Sequence, residues 1–267
     1  MKKLIALDID GTLLNSENII TEKTREALIR AQDAGHTLVI ASGRDQIGVG
    51  PYAEILDFEN HNGLICTFNG GKVINCETGE VLIDHSLEMD LARDILNFAK
   101  ENDMTYLIYA KDSIITNSEK TYKIAEIAKA DHNVYEVIEN LEDVIDFRPN
   151  KILFSIDPAY IDEKIELFDK KYKGKVNAFK STPFFYEIMP VGVEKGASLR
   201  EMAKFLGFDI KDTIAFGDER NDLEMLEAAG VGVVMANAPD IVKEYGDYIT
   251  KSNDEDGIAY YLDKFVL

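Results

Sequence analysis

The chain has 267 residues, of which 46% are hydrophobic and 29% charged, so it is long enough for one large folded domain or two. Its 49 acidic and 29 basic residues give a formal net charge of −20 at pH 7. Such a surface repels nucleic acid and anionic lipid, which excludes both as partners. It also repels small anions, unless local cations reverse the field at a binding site.

Neither the cysteines nor the N-terminal residues indicate export. Cys66 and Cys76 form no CxxC pair, and we expect both to be reduced thiols. Lys2 and Lys3 precede only four apolar residues, too few for the hydrophobic region of a signal peptide. No other stretch approaches the ~20 apolar residues of a membrane span. We therefore expect a cytoplasmic protein.

The first 83 residues alternate between strand and helix patterns. Strands are predicted at residues 4–8, 37–41 and 65–68. A helix is predicted over 22–34, because Thr21 is a suitable N-cap and Gly35 a suitable C-terminal stop. This alternation predicts a Rossmann-like, doubly wound α/β fold, in which helices cover both faces of a parallel sheet.

The pattern changes near residue 84. A helix at about 88–101 precedes two short β-rich runs, 106–110 and 113–117, which together predict an antiparallel hairpin. A helix, a strand, a second helix and two strands are then predicted at 119–130, 151–156, 159–172, 175–180 and 184–189. This segment is predicted to be an α+β domain.

After residue 190 the first pattern returns. Strands are predicted at 213–217, 231–235 and 248–250, with helices at 197–206 and 221–229 and a short helix after the turn at 237–239. The prediction is a discontinuous α/β core, 1–83 and 190–267, with an inserted α+β cap domain at 84–189. The 152 residues between Ser42 and Lys195 support an insertion, because one βα unit needs only roughly 30.

Acidic residues follow two predicted core strands. Asp8 and Asp10 lie two residues apart, so they share a face if strand geometry persists to residue 10. Asp218 follows the strand at 213–217, and Asp222 opens the next helix. Ligands of open α/β sheets bind at the carboxyl ends of the strands, so all four carboxylates are predicted to converge. Four ionised carboxylates need a cation, and oxygen donors favour Mg²⁺.

Groups suited to phosphate lie at similar positions. Ser42 and Gly43 end the strand at 37–41, where a hydroxyl and a glycine amide can hold a phosphate oxygen. Lys195 begins a helix, where its charge opposes the helix dipole at a cost of about 0.3–1 kcal/mol. An anion held between Lys195 and the carboxylates would offset that cost.

Each fragment alone has an ordinary structural explanation. Asp8 and Asp10 suit a solvated turn, Ser42 a turn, Lys195 a surface position, and residues 217–222 a turn with a helix cap. An EF-hand calcium loop is excluded, because its glycine is the sixth residue of the loop, whereas Gly11 is the fourth residue counted from Asp8. A predicted strand also precedes this segment, which does not fit an EF-hand. The four histidines are scattered, and none is assigned a metal. The functional interpretation depends on the fragments together, since all have complementary chemistry at strand ends or helix starts.

The segments DIDGT (8–12), SGR (42–44), KG (195–196) and GDERND (217–222) resemble, in order, the four motifs of the haloacid dehalogenase (HAD) superfamily. The insert between the second and third motifs resembles the type IIB (C2B) cap of Cof-type phosphatases. NGG at 69–71, SNDEDGI at 252–258 and STPFFYE at 181–187 are also similar to this group, in particular to bacterial sugar phosphatases. The resemblance covers nearly the whole chain.

This resemblance implies a role for each matching residue. Asp8 would be the nucleophile that forms an aspartyl-phosphate, and Asp10 would be general acid and then general base. Mg²⁺ would be bound by the Asp8 carboxylate, the Asp10 carbonyl and Asp218, supported by Asp222 and Thr12. The phosphoryl group would be bound by Ser42, Lys195, Asn221 and the amides of Ile9 and Gly43.

The expected function is a Mg²⁺-dependent phosphatase of small phosphorylated metabolites, with sugar phosphates as the expected class. Three alternatives stay open: a phosphomutase of the same fold, a phosphatase of flavin mononucleotide or pyridoxal phosphate, and a non-catalytic protein that binds metal or phosphate. Phe184, Tyr186 and Glu187 in the cap are weak specificity candidates, because an ordinary alternating strand is the better explanation of their pattern. The sequence carries no signal of oligomeric state.

Overall fold

The computed structural model describes residues 2–267 and divides into two compact units. The core unit consists of the residues up to Ile83 together with Glu194–Leu267, and the cap unit of Asp84–Val193. The cap unit extends to Val193, past residue 189, where the sequence pattern places its end. Val193 explains this difference, because its N–H donates to the Pro190 carbonyl and its own carbonyl accepts a hydrogen bond from Asn177.

In the described residues, the first part of the core unit contains five strands and two α-helices. They are β1 (Leu4–Leu7), α1 (Glu22–Asp33), β2 (Thr37–Ala41), α2 (Gln46–Ile55), β3 (Leu64–Thr67), β4 (Lys72–Asn75) and β5 (Val81–Asp84). As predicted, Thr21 caps α1, and its side chain accepts a hydrogen bond from the Thr24 N–H. Helix α2 has no predicted counterpart, because its two glycines and Pro51 lower its helix propensity.

The cap unit follows the predicted α+β pattern with additional short elements. Its elements are α3 (Met89–Glu101), β6 (Tyr106–Tyr109), β7 (Ile114–Thr116), α4 (Ile124–Ala130), β8 (Tyr135–Val137), α5 (Leu141–Val144), β9 (Ile152–Ser155), α6 (Ile161–Tyr172), β10 (Asn177–Thr182) and β11 (Phe185–Met189). They form a six-stranded sheet in the order β10-β11-β9-β6-β7-β8. Strands β6 and β7 pair antiparallel, so the predicted hairpin is confirmed.

The last part of the core unit completes its sheet. Its elements are α7 (Lys195–Leu206), β12 (Thr213–Gly217), α8 (Leu223–Ala228), β13 (Val231–Val234), α9 (Asp240–Lys243), β14 (Tyr248–Ile249) and α10 (Gly257–Phe265). The sheet has eight strands in the order β14-β13-β12-β1-β2-β3-β4-β5. Strands β14 to β3 are parallel to one another, which confirms the predicted α/β fold class, whereas β4 pairs antiparallel with β3.

Helices cover both faces of the core sheet, and the position of the site follows from this. Ile5 and Leu7 of β1 pack in one cluster with α1 and α10, whereas Leu4 and Ala6 pack on the opposite face with α7 and α8. A parallel strand covered on both faces is apolar throughout, as β1 is. Polar side chains are therefore confined to the strand ends. Within residues 2–267, no helix combines the length and apolarity needed to cross a bilayer.

Candidate active site

The strand register brings the first and last sequence motifs together. β1 lies between β2 and β12, and Leu7 is aligned with Phe216 of β12 and with Ile40 of β2. The Asp8 N–H extends this ladder by one hydrogen bond to the Phe216 carbonyl, 3.1 Å long. Asp8, at the end of β1, therefore lies beside the segment in which β12 ends and Asp218 follows.

Three carboxylates form a buried cluster at this edge. Oxygen atoms of Asp8, Asp218 and Asp222 all lie within 4.8 Å of one another. The Asp222 Oδ2 atom accepts hydrogen bonds from the backbone N–H groups of Asp218 and Glu219, both 3.0 Å long. Gly217 allows this close approach, because a Cβ there would lie 2.6 Å from the Asp222 Cβ. The convergence predicted for these three acids is found in the structure.

Lys195 is the cation at the centre of this cluster. It begins α7, its side chain is fully buried, and its Nζ lies 2.5 Å from Asp8 Oδ1 and 2.7 Å from Asp222 Oδ1. Gly196 lets this helix start approach α8, because a Cβ there would lie 2.1 Å from the Glu224 carbonyl oxygen. The carboxylates themselves thus supply the anionic partners that Lys195 needs at a helix N-terminus.

The electrostatics of the cluster favour an additional positive charge. Burial, with the neighbouring Asp222 charge, raises the pKa of Asp8 well above its usual value, and Lys195 opposes this shift only in part. Burial likewise raises the pKa of Asp218 to about 7. The pKa of Lys195 is itself raised, because the Asp222 and Asp8 charges outweigh the effect of burial. A single lysine therefore leaves three buried acids under-neutralised.

These residues have the chemistry of a divalent-cation site. The three carboxylates offer only oxygen donors, the ligand type that Mg²⁺ and Ca²⁺ prefer. The neighbouring loop is shaped around them, since a Cβ on Gly11 would lie 2.2 Å from Asp218 Oδ2 and Gly11 has φ +83°. Asp8, Asp218 and Asp222 are the residues that could hold such an ion.

Asp10 does not join this cluster, so the predicted convergence of four carboxylates is wrong in this respect. β1 ends at Leu7, and the N–H groups of Leu13 and Leu14 bond back to the carbonyls of Asp8 and Ile9, which closes a tight turn. The strand alternation that would place Asp10 beside Asp8 is therefore lost. Instead the exposed Asp10 carboxylate accepts hydrogen bonds from Arg44 Nε (3.1 Å) and from its terminal nitrogen (2.8 Å).

The predicted phosphate-binding residues lie near this edge in different settings. Ser42 follows β2, is buried, and accepts a hydrogen bond from the Arg44 N–H through its hydroxyl. Gly43 follows it, and a Cβ there would lie 3.0 Å from Asn69 Oδ1. Ile9 packs its side chain into the apolar core. Asn221 is exposed in a short 3₁₀ helix (Arg220–Asp222) before α8, outside the hydrogen bonds of the acidic cluster.

The NGG segment (69–71) and the preceding Phe68 are hydrogen-bonded to the second motif, SGR (42–44). The Asn69 N–H donates to the Ser42 carbonyl over 2.9 Å, and the Phe68 N–H donates to the Arg44 carbonyl over 3.0 Å. Gly70, at φ +104°, allows close contact with the start of α7, because a Cβ there would lie 2.6 Å from the Glu194 carbonyl oxygen. This loop therefore joins the segments that carry Ser42 and Lys195.

Sequence reasoning did not identify two residues of the site. Arg44 belongs to the SGR segment, but nothing in the sequence indicates that it binds Asp10. Asn237 donates through Nδ2 to the Gly11 carbonyl (2.8 Å) and to Asp218 Oδ2 (3.3 Å). Its sequence context, an Asn-Ala-Pro turn, is typical of a loop and carries no signal of this contact.

The cap candidates have structural partners inside the cap unit. The Tyr186 hydroxyl donates to Asp169, and Glu187 forms an ion pair with Lys151 at 3.3 Å. The Phe184 ring packs against Phe185, with centroids 4.4 Å apart. Phe184, Tyr186 and Glu187 thus each have a partner within the cap unit.

Comparison with known proteins identifies the family. Residues 5–262 match the haloacid dehalogenase-like hydrolase family. A crystal structure of such a hydrolase from Bacteroides thetaiotaomicron has a TM-score of 0.92 and 35% identity and covers 99% of each chain. A Bacillus subtilis relative, 5-amino-6-(5-phospho-D-ribitylamino)uracil phosphatase, is 31% identical over 99% of this chain and 98% of its own.

A further solved structure, described as a HAD subclass IIB sugar phosphatase, shares the fold with a TM-score of 0.80 at 24% identity, and 99% of each chain is covered. The resemblance drawn from the four sequence motifs is confirmed by these comparisons. The chain belongs to the haloacid dehalogenase-like hydrolase family and is an enzyme of the phosphatase type.

Proposed function

We propose that this protein is a Mg²⁺-dependent phosphatase that hydrolyses small phosphorylated metabolites, in particular sugar phosphates. The buried Asp8 carboxylate, beside Lys195 and next to Asp218 and Asp222, is the observation that supports this proposal. The proposed nucleophile, a fixed cation and additional acidic ligands therefore lie together at one edge of the core sheet. Phosphate-monoester hydrolysis is among the slowest uncatalysed reactions, so it needs this combination of covalent and electrostatic catalysis.

The proposed reaction has two steps. An Asp8 carboxylate oxygen attacks phosphorus, the phosphorus–oxygen bond to the leaving group breaks, and Asp10 gives its proton to the departing oxygen. A water molecule then attacks phosphorus of the aspartyl-phosphate and Asp10 takes a proton from that water. The bond between the Asp8 oxygen and phosphorus breaks, which regenerates the Asp8 carboxylate and releases inorganic phosphate. Lys195 neutralises charge on the phosphoryl oxygens through both steps, with Ser42 and the Gly43 amide as further donors.

The acidic cluster is the proposed Mg²⁺ site. Asp8 and Asp218, with the Asp10 carbonyl and with Asp222 in support, would hold the ion. When bound there, Mg²⁺ supplies the positive charge that the three buried carboxylates lack and polarises the phosphoryl group. A site that is locally positive also explains how an enzyme with a net charge of −20 accepts an anionic substrate.

Asp10 must leave Arg44 to reach the leaving group. Its side chain is 58% exposed, and the ion pair with Arg44 lies at the surface. Surface ion pairs contribute only about 0.2–1 kcal/mol, so release of Asp10 is a small part of any catalytic barrier. We propose that substrate binding draws Asp10 inward by a side-chain rotation.

The substrate class is proposed from chemistry and from relatives. A neutral polyol leaving group suits the acidic surface better than a polyanion, which favours sugar phosphates over nucleic acid or an anionic membrane. The Bacillus subtilis relative is named for a phosphate ester on a ribityl chain, which favours phosphorylated polyols, including flavin mononucleotide, as a second candidate class.

The test measures phosphate release from a generic aryl phosphate at defined Mg²⁺ concentrations. We expect activity that EDTA abolishes and Mg²⁺ restores, and an Asp8→Asn variant that folds but releases no phosphate. Asp112→Asn is the matched control, because it removes an exposed carboxylate from the cap unit. Full activity in excess EDTA, or an active Asp8→Asn protein, would contradict the mechanism. Phosphate release from a panel of about 100 phosphorylated metabolites then identifies the substrate class. A separate assay for the interconversion of sugar 1-phosphates and 6-phosphates distinguishes a phosphatase from a phosphomutase.

A further inference from the structure

Asn237 connects two segments of the proposed metal site. We propose that Asn237 is a positioning residue that holds the Asp218 carboxylate and the loop after Asp8 in their metal-binding geometry. We further propose that Asn253 fixes the direction of the Asn237 amide. This inference rests on the proposed metal site and concerns residues outside the four sequence motifs.

The first step is the pair of hydrogen bonds that Asn237 donates. Its Nδ2 lies 2.8 Å from the Gly11 carbonyl oxygen and 3.3 Å from Asp218 Oδ2. Gly11 directly follows Asp10, whose carbonyl is a proposed metal ligand. One amide group therefore ties both ligand-bearing segments together, although they are far apart in sequence.

The second step concerns the orientation of that amide. The Asn253 N–H donates to Asn237 Oδ1 over 3.0 Å, so the oxygen must point toward Asn253 and the NH₂ group toward Asp218. Asn253 is itself held, because its Nδ2 donates to the Leu14 carbonyl over 2.8 Å. The SNDEDGI segment thereby acquires a role, since Asn253 is its second residue.

The third step is the other oxygen of Asp218. Thr12 Oγ1 donates to Asp218 Oδ1 over 2.7 Å, so donors from two separate segments hold the two carboxylate oxygens. Asp218 is buried, which makes an undirected carboxylate there costly. Groups that orient metal ligands in this way typically change metal affinity by about 10–100-fold when they are removed.

The experiment measures Mg²⁺ and Mn²⁺ binding to chelator-treated protein by calorimetry. We expect Asn237→Ala to weaken binding by about 10–100-fold. Asn253→Pro should weaken binding in the same direction, because it removes the backbone N–H that holds Asn237 Oδ1, and proline is accepted at the first residue of a short helix. The double variant should bind no more weakly than Asn237→Ala, because this N–H acts through Asn237. Thr12→Val should weaken binding further in combination with Asn237→Ala, because Thr12 holds the other oxygen.

Asn102→Ala is the matched control. Asn102 also donates a 2.8 Å hydrogen bond from Nδ2 to a backbone carbonyl, that of Phe98, but it lies in the cap unit. Its loss should leave the metal dissociation constants unchanged. In phosphatase assays, Asn237→Ala should raise the Mg²⁺ concentration needed for half-maximal rate more than it lowers kcat at saturating Mg²⁺, a split that general destabilisation would not produce.

The outcomes separate the two proposals. Wild-type protein that binds neither ion would refute the metal site itself. Wild-type binding together with an unchanged dissociation constant in a folded Asn237→Ala variant would refute the positioning role alone. If Asn237→Ala fails to fold, Asn253→Pro decides, because it removes the N–H donor to Asn237 Oδ1 and leaves the Asn237 side chain in place. Unaltered metal affinity in Asn253→Pro would then overturn the proposal.

Discussion

Replacing Asp218 by asparagine should stabilise the metal-free protein, although most substitutions of buried residues destabilise. The pKa of Asp218 is raised from 3.8 to about 7, because burial disfavours its charged form. For an acid with a raised folded-state pKa, stability is lost as pH rises from the unfolded value through the folded value. The loss therefore begins near pH 4 and is complete above pH 7.

The size of the effect follows from this shift. Each pKa unit corresponds to about 1.4 kcal/mol, so the ionised carboxylate costs the metal-free fold about 4 kcal/mol at pH 8 and roughly a third of that at pH 5. The new amide keeps an acceptor for Thr12 but directs its NH₂ group at the amide of Asn237, which reduces the gain by about 1 kcal/mol. We expect a net stabilisation of about 3 kcal/mol at pH 8.

Thermal unfolding in EDTA measures this directly. A change of 1 kcal/mol shifts Tm by about 2–4 °C in a protein of this size, so Asp218→Asn should raise Tm by at least about 5 °C at pH 8 and by less at pH 5. Saturating Mg²⁺ should raise the wild-type Tm and leave the variant nearly unchanged. A variant that is less stable than wild type in EDTA at pH 8, or a difference independent of pH, would refute the electrostatic reasoning.

Two further predictions concern the loops around the acidic cluster. Gly11→Ala should weaken Mg²⁺ binding at least tenfold, because the φ of +83° and the 2.2 Å approach of a Cβ to Asp218 Oδ2 force the loop to move. Gly79→Ala is the control, because Gly79 has φ +70° and no neighbour within 4 Å. It should cost only about 1–2 kcal/mol of stability and leave the metal affinity measured by calorimetry unchanged. Arg44→Ala should change kcat by less than about fivefold, because it releases Asp10 from a surface ion pair, whereas Asp10→Asn should lower kcat by about 10²–10⁴-fold. A hundredfold loss in Arg44→Ala would show that Arg44 acts on the phosphoryl group itself.

Much of the core fold and the acidic edge could be predicted from local patterns. The apolar run of β1, the capped helix α1 and the segment that follows β12 are each contained within a few consecutive residues. In a parallel sheet, such strands present their carboxyl ends at one edge, so Asp8 and Asp218 could be placed together without coordinates. Short elements such as β8 and α5 were not predicted, because three or four residues carry too little periodicity.

The sequence by itself determined the family, the α/β core with its insertion and the convergence of Asp8, Asp218 and Asp222, because these depend on strand order and local motifs. Only the tertiary structure decided which side chains direct that cluster. Asn237 bonds to Gly11 from 226 residues away, and Asp10 turns outward to Arg44 because hydrogen bonds of the turn after β1 end the strand alternation. Contacts between such distant segments depend on how the loops pack, and no local residue pattern encodes that packing.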